Sequence, residues 1–113
     1  MSTTPFTATH LLIHRYVPGT GPQEGTAELD AEMQIWVELD REYRESGVLL
    51  GSYALQNAAV AFGQRFGQHE DIVFAVHALA VASQREAERI AERMPHLGYG
   101  STEVRPLMDV DLE

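Results

Sequence analysis

Three histidines stand where they could move protons. His10 and His14 lie in the segment Thr7–Tyr16 (TATHLLIHRY), and His77 lies in Ile72–Val81 (IVFAVHALAV). Both segments read as β-strands, in which alternate side chains share a face. His10 and His14 then lie on one face with Leu12, about 13 Å apart by strand rise. If Ile72, Phe74 and Val76 turn toward the helices, His77 joins His10 and His14 on the open face of the sheet. An imidazole with a pKa near about 6.5 suits general acid/base work near neutrality. His14 and His77 are therefore the candidate catalytic residues, and His10 is a candidate ligand contact. The same three side chains would also serve as hydrogen-bonded interface histidines. Their spacing argues against a three-histidine zinc centre, so no metal is expected.

Asp40 is the other irregular residue. It interrupts an apolar helical stripe between Trp36 and Tyr43. A carboxylate in such a place must find a partner or change its pKa. Either it sits at the wet edge of the stripe or bonds a neighbouring Tyr, Trp or Arg, or it is a pocket carboxylate that orients a histidine. Glu103 and Arg105 share a strand face with Tyr99 and Ser101. They form an ion pair at a rim, or Arg105 holds a carboxylate or carbonyl of a ligand in its planar fork. Tyr53 offers a hydroxyl, or packs as a core or interface aromatic. Met33, Trp36 and Tyr43 read as core packing.

What the chain lacks narrows the chemistry. Its 113 residues contain no Cys and no Lys, so every basic side chain is Arg. A thiolate nucleophile, a Cys-ligated zinc, a Schiff-base lysine and a P-loop lysine are all excluded. Gly19-Thr20-Gly21 matches no phosphate-binding loop, and neither Gly-x-Ser-x-Gly nor His-Glu-x-x-His occurs. The net charge of −9 opposes nucleic-acid binding. No apolar run approaches the roughly 20 residues that span a bilayer. Met1–Thr9 is polar and uncharged, unlike a secretory signal. The expectation is a cytoplasmic, single-domain protein that binds neither nucleic acid nor membrane.

The elements that must position these residues follow from periodicity. Strand one ends before Pro18-Gly19, and Val17–Glu28 is a loop by composition. A helix runs from about Ala27 to Ser46 and stops at Gly47. Its stripe holds Leu29, Met33, Trp36, Leu39 and Tyr43, with Val37 at the edge. Val48–Leu55 is a second strand. The stretch 56–71 reads least clearly, with a strand or hairpin at Ala59–Phe66 broken by Gly63 and Gly67. Ile72–Val81 is a strand. Ser83-Gln84-Arg85-Glu86 fits a capping box and opens a helix that buries Ala87, Ile90, Ala91 and Met94 and ends at Pro95. Tyr99–Leu107 is the last strand. Residues 1–6 and 109–113 read as flexible tails. The order β–α–β–(irregular)–β–α–β is the split βαβ, ferredoxin-like α+β plan, with both helices on one face of an antiparallel sheet. The other face then needs a cover, most simply a second copy of the chain.

Several of these stretches together resemble one family. Leu11-Leu12-Ile13-His14, Gly47-Val48-Leu49-Leu50-Gly51 with Leu55-Gln56, Ala87–Pro95, and Gly100-Ser101-Thr102-Glu103-Val104-Arg105-Pro106-Leu107-Met108 are similar, in that order, to the YCII-related (DGPF-type) family. The resemblance covers most of residues 10–109. It implies a dimeric α+β barrel of ferredoxin-like protomers with a small-molecule pocket. The family's Asp-Gly-Pro-Phe loop is replaced by Gly63-Gln64-Arg65-Phe66-Gly67-Gln68-His69-Glu70. The helix-borne His of some members is also missing, because the first helix contains none. Of the family's residues only Glu103 and Arg105 carry over. Three functions fit: a cofactor-free enzyme that isomerises, cyclises, dehydrates or decarboxylates a small carbonyl-bearing or apolar metabolite; a non-catalytic ligand-binding or regulatory module; and a haem- or metal-dependent monooxygenase, for which no axial ligand is placed.

Overall fold

The computed structural model describes residues 7–63 and 70–108. Six elements follow in the order β1 (His10–Tyr16), α1 (Ala27–Glu45), β2 (Leu49–Ala54), β3 (Ile72–Leu79), α2 (Gln84–Ala91) and β4 (Gly100–Pro106). The sheet order is β2-β3-β1-β4, and every neighbouring pair is antiparallel. This is the α+β, split βαβ arrangement of the ferredoxin-like fold. Residues 55–63 form no strand. The rest of the expected hairpin, with the Gln64–His69 loop, lies outside the described residues, as do both expected tails.

The helices begin where side chains can satisfy their free amides. Thr26 Oγ1 accepts from the Leu29 amide at 3.2 Å, and Ser83 Oγ accepts from the Glu86 amide at 3.2 Å. Glu86 reaches back as a capping box requires, but to the Ala82 amide at 2.8 Å, one residue earlier than expected. Gly47 has φ +79° just beyond the Ser46 cap of α1, a backbone conformation that favours glycine.

Both helices cover one face of the sheet. Leu12, Leu49 and Leu79 from the strands meet Leu39 of α1 and Ala87, Ile90, Ala91 and Met94 of α2 and its exit. The α2 stripe is buried as its spacing predicts. On α1 only Leu39 is fully buried. Trp36 and Tyr43 pack half-buried against the core, while Met33 stays 51% exposed and is not a core residue. Among the described residues no element covers the opposite face. Strand alternation and pairing place Leu11, Ile13, Val73, Val76 and Ala78 across its middle. Arg15 lies at its edge between Asp71 and Glu103, each at 3.6 Å.

The histidines are on the helix side, not the open side. His10, Leu12 and His14 alternate with Leu11 and Ile13, and β1 is apolar on both faces, so alternation alone could not choose between them. The core settles it. Leu12 and His14 are fully buried beneath the helices, and His77 is buried beside Leu79. The placement of all three imidazoles on the open face is thereby corrected. Val76, expected toward the helices, pairs with Ile13 and Tyr53 on the open face and is corrected as well, whereas Phe74 does lie on the helix side. The β1–β3 register shifts between His14 and Arg15, whose partners are Ala75 and Val73, which leaves Phe74 as the extra residue of a β-bulge. The bulge aims Phe74 at the helix side, where it meets His14, Trp36 and His96.

Candidate functional site

A cleft of about 390 Å³ opens between α1 and the β2–β3 edge. Met33, Trp36 and Val37 of α1 form one wall, and Ser52, Ala54, Phe74 and Ala75 form the other. Three ionisable side chains line it: His77, Asp40 and Arg44. Helical spacing puts Met33, Trp36, Val37, Asp40 and Arg44 on one side of α1. The β2–β3 register pairs Ser52 with His77 and Ala54 with Ala75, so these side chains share the face that α1 covers.

Behind His77 lies a row of buried polar groups. His14 Nε2 and His77 Nδ1 are 3.0 Å apart. His14 Nδ1 and Thr102 Oγ1 are 2.9 Å apart, across the β1–β4 pair in which the two residues are direct partners. Thr102 Oγ1 is 3.3 Å from His96 Nε2, which lies 2.7 Å from the Ser101 carbonyl oxygen. The rings pack as an aromatic cluster. His14 meets Trp36, His77 and His96 edge-on, while Trp36 and His96 stack with centroids 5.3 Å apart.

Burial sets the protonation of this row. It pushes the His14 pKa down to about 3, helped by the nearby His77 and His96. Burial lowers His77 too, and the opposing pull of Asp40 does not reverse that. His96 is also lowered, mainly by burial. All three imidazoles are neutral at pH 7, so each ring has one N–H and one bare nitrogen.

Asp40 has the Arg partner that one reading expected and lines the cleft beside His77, but it bonds no histidine among the described residues. Arg44 Nε donates to Asp40 Oδ2 at 2.8 Å, one helical turn away. Asp40 Oδ1 is shielded from solvent and has no hydrogen-bond partner among the described residues. A buried carboxylate oxygen without a donor is rare and marks a place where a donor belongs.

The structure brings His14, His77 and Asp40 together and leaves the other candidates elsewhere. His10 is bound by Thr9 and Gln84, at 2.9 and 3.0 Å, near the start of α2. Tyr53 pairs with Val76 on the opposite face and is 58% exposed. Glu103 and Arg105 form an exposed ion pair at 3.0 Å on that same open face. Tyr99 does not join them, since its hydroxyl bonds Glu32 of α1. Sequence reading missed Thr102 and His96. Thr102 has the parity of Val104 rather than of Glu103, which did signal the helix side. His96 follows Pro95 outside any periodic element, so no pattern pointed to it.

Among the described residues no three His, Asp or Glu side chains are arranged to hold a metal ion, and no helix is long and apolar enough to cross a membrane. No family model matches the chain, and no curated protein is significantly similar to it in sequence.

Proposed function

We propose that this chain is a small YCII-like protein of the cytoplasm, working as a homodimer, whose cleft performs cofactor-free acid/base chemistry on a small carbonyl-bearing or apolar metabolite. Isomerisation, cyclisation, dehydration and decarboxylation all fall within that chemistry. The observation that carries the reading is that a neutral histidine, His77, and the Asp40 carboxylate line one cleft. Trp36, Phe74, Met33 and Val37 supply an apolar bed for the substrate, and His77, Asp40 and Arg44 line the same cleft. Titratable groups in one cleft are what proton transfer at a substrate carbon requires.

The homodimer is supported by the uncovered face, where half-buried Leu11, Ile13, Val73, Val76 and Ala78 need a partner surface. The ordered motifs that resemble the YCII-related family support the same assembly.

The direct test is exchange of α-protons. A panel of enolisable ketones and ketoacids is incubated with the protein in deuterated buffer and followed by proton NMR. Exchange above background for one or more compounds is expected, and its loss in His77→Gln and Asp40→Asn. Exchange at wild-type rate in both variants would overturn the catalytic roles. Binding of panel members without any exchange would favour a ligand-binding module, the reading to which the apolar lining also lends itself.

A further inference from the structure

Resting on that acid/base reading of the cleft, we infer that His77 meets its ligand as a hydrogen-bond donor through Nε2–H, so that the cleft selects neutral, largely apolar molecules bearing a carbonyl-type oxygen. The proton order is fixed from the backbone carbonyl of Ser101 on β4. The Ser101 carbonyl oxygen can only accept, so the His96 Nε2 beside it carries the hydrogen. That leaves His96 Nδ1 bare, and Nδ1 is indeed the buried ring nitrogen without a partner. A bare nitrogen is the cheaper group to leave unpaired there than a second N–H.

The remaining protons follow in turn. Thr102 Oγ1 cannot donate to a nitrogen that already carries a hydrogen. Its hydroxyl hydrogen therefore goes to His14 Nδ1. The neutral His14 ring then carries its hydrogen on Nε2 and donates it to His77 Nδ1. His77, with Nδ1 accepting, carries its own hydrogen on Nε2. The reverse order would leave the Thr102 hydroxyl hydrogen without an acceptor in the interior. His77 Nε2 has no protein partner among the described residues, and it is not among the buried polar atoms shut off from solvent. It faces the cleft that His77 lines.

The ligand class follows from what surrounds that N–H. Asp40 and Arg44 are paired at 2.8 Å and cancel. His77 is neutral. A ligand with a net charge would meet no net countercharge among the ionisable groups of the lining, whereas an oxygen acceptor on an apolar frame satisfies the His77 N–H. His77 thereby holds the ligand oxygen.

The test reads tautomers rather than turnover, so it stands or falls apart from the catalytic reading. Long-range nitrogen–proton NMR on the uniformly labelled protein at pH 7.5 is expected to show His77 with hydrogen on Nε2 and a bare Nδ1. Acetophenone, an acceptor on an apolar ring, is expected to shift His77 Nε2 saturably. Ethylbenzene, which has the same shape without the oxygen, should bind with little change at that nitrogen. Thr102→Val removes the hydroxyl that orders the row without touching the cleft lining. It should mix the His77 tautomers and weaken acetophenone roughly three- to tenfold, the worth of one hydrogen bond. A His77 hydrogen on Nδ1 in the wild-type protein would overturn the assignment. So would equal Nε2 shifts with the two probes, or a Thr102→Val variant unchanged in tautomer and affinity.

Discussion

Trp36 and His96 stack nearly face to face, with ring centroids 5.3 Å apart and planes inclined by 24°. The other ring pairs of the cluster that involve His14 or His96 are tilted or edge-on. The stack joins α1 to the turn before β4, and one edge of it reaches the cleft through Trp36. Because Trp36 is the single tryptophan of the chain, its emission reports on the site. Acetophenone titration is expected to change that emission saturably. Trp36→Ala should destabilise the fold by about 3 kcal/mol, measured by urea unfolding. A loss below about 1 kcal/mol would mean that the stack contributes little.

Acid should weaken the fold through the buried histidines. Their folded pKa values lie below the unfolded value near 6.5, with His14 at about 3. Between those values the unfolded chain binds more protons, so stability is fully present above about pH 6.5 and is lost as pH falls. Each histidine contributes a slope of about 1.4 kcal/mol per pH unit while it titrates in the unfolded state alone. The urea midpoint is expected to fall steadily from pH 7 to pH 4.5. His14→Gln should flatten that dependence, and parallel curves for the two proteins would count against it.

Gly100 holds β4 close to β1. A Cβ there would run into the Arg15 carbonyl oxygen and approach His96 Cδ2 to 2.8 Å. Gly100→Ala is expected to destabilise by about 1–3 kcal/mol through overpacking. It should also disturb the His96 ring signals. A variant as stable as wild type with unmoved His96 resonances would contradict the close fit.

Asp40 and Arg44 form a half-exposed pair on one helix turn. Asp40→Asn should therefore change stability by less than about 1 kcal/mol. Its effect should fall on the exchange reaction instead. A large loss of stability with exchange intact would make Asp40 a structural residue.

The open face carries the assembly prediction. Light scattering across dilution is expected to show a dimer. Val76→Glu, at the middle of that face, should give a folded monomer. A wild-type monomer persisting at high micromolar concentration would remove the barrel from the proposal.

The elements were legible because each rests on local physics. Ser83 and Glu86 mark the start of α2, Gly47 and the Ser46 cap mark the end of α1, and the Ala87–Met94 spacing names a buried stripe. Asp40 was legible as an anomaly for the same reason: one carboxylate broke a pattern that its own helix defined. The faces were not legible. β1 presents Leu11 and Ile13 on one side and Leu12 on the other, and burial on either side satisfies its alternation equally well. Only the packing of Leu12 and Leu79 against Leu39, Ala87 and Ile90 decides which side the helices cover. That one choice carried His14 and His77 from the open face into the interior. The Phe74 bulge is likewise a property of two strands in register, since an extra residue is defined only against its partner. Thr102 and His96 complete the site from β4 and its approach, 88 and 82 positions along the chain from His14, a separation that no local pattern spans. Propensity and periodicity act over a few residues, whereas the proton order of the buried row depends on contacts that exist only once the four strands and two helices are assembled.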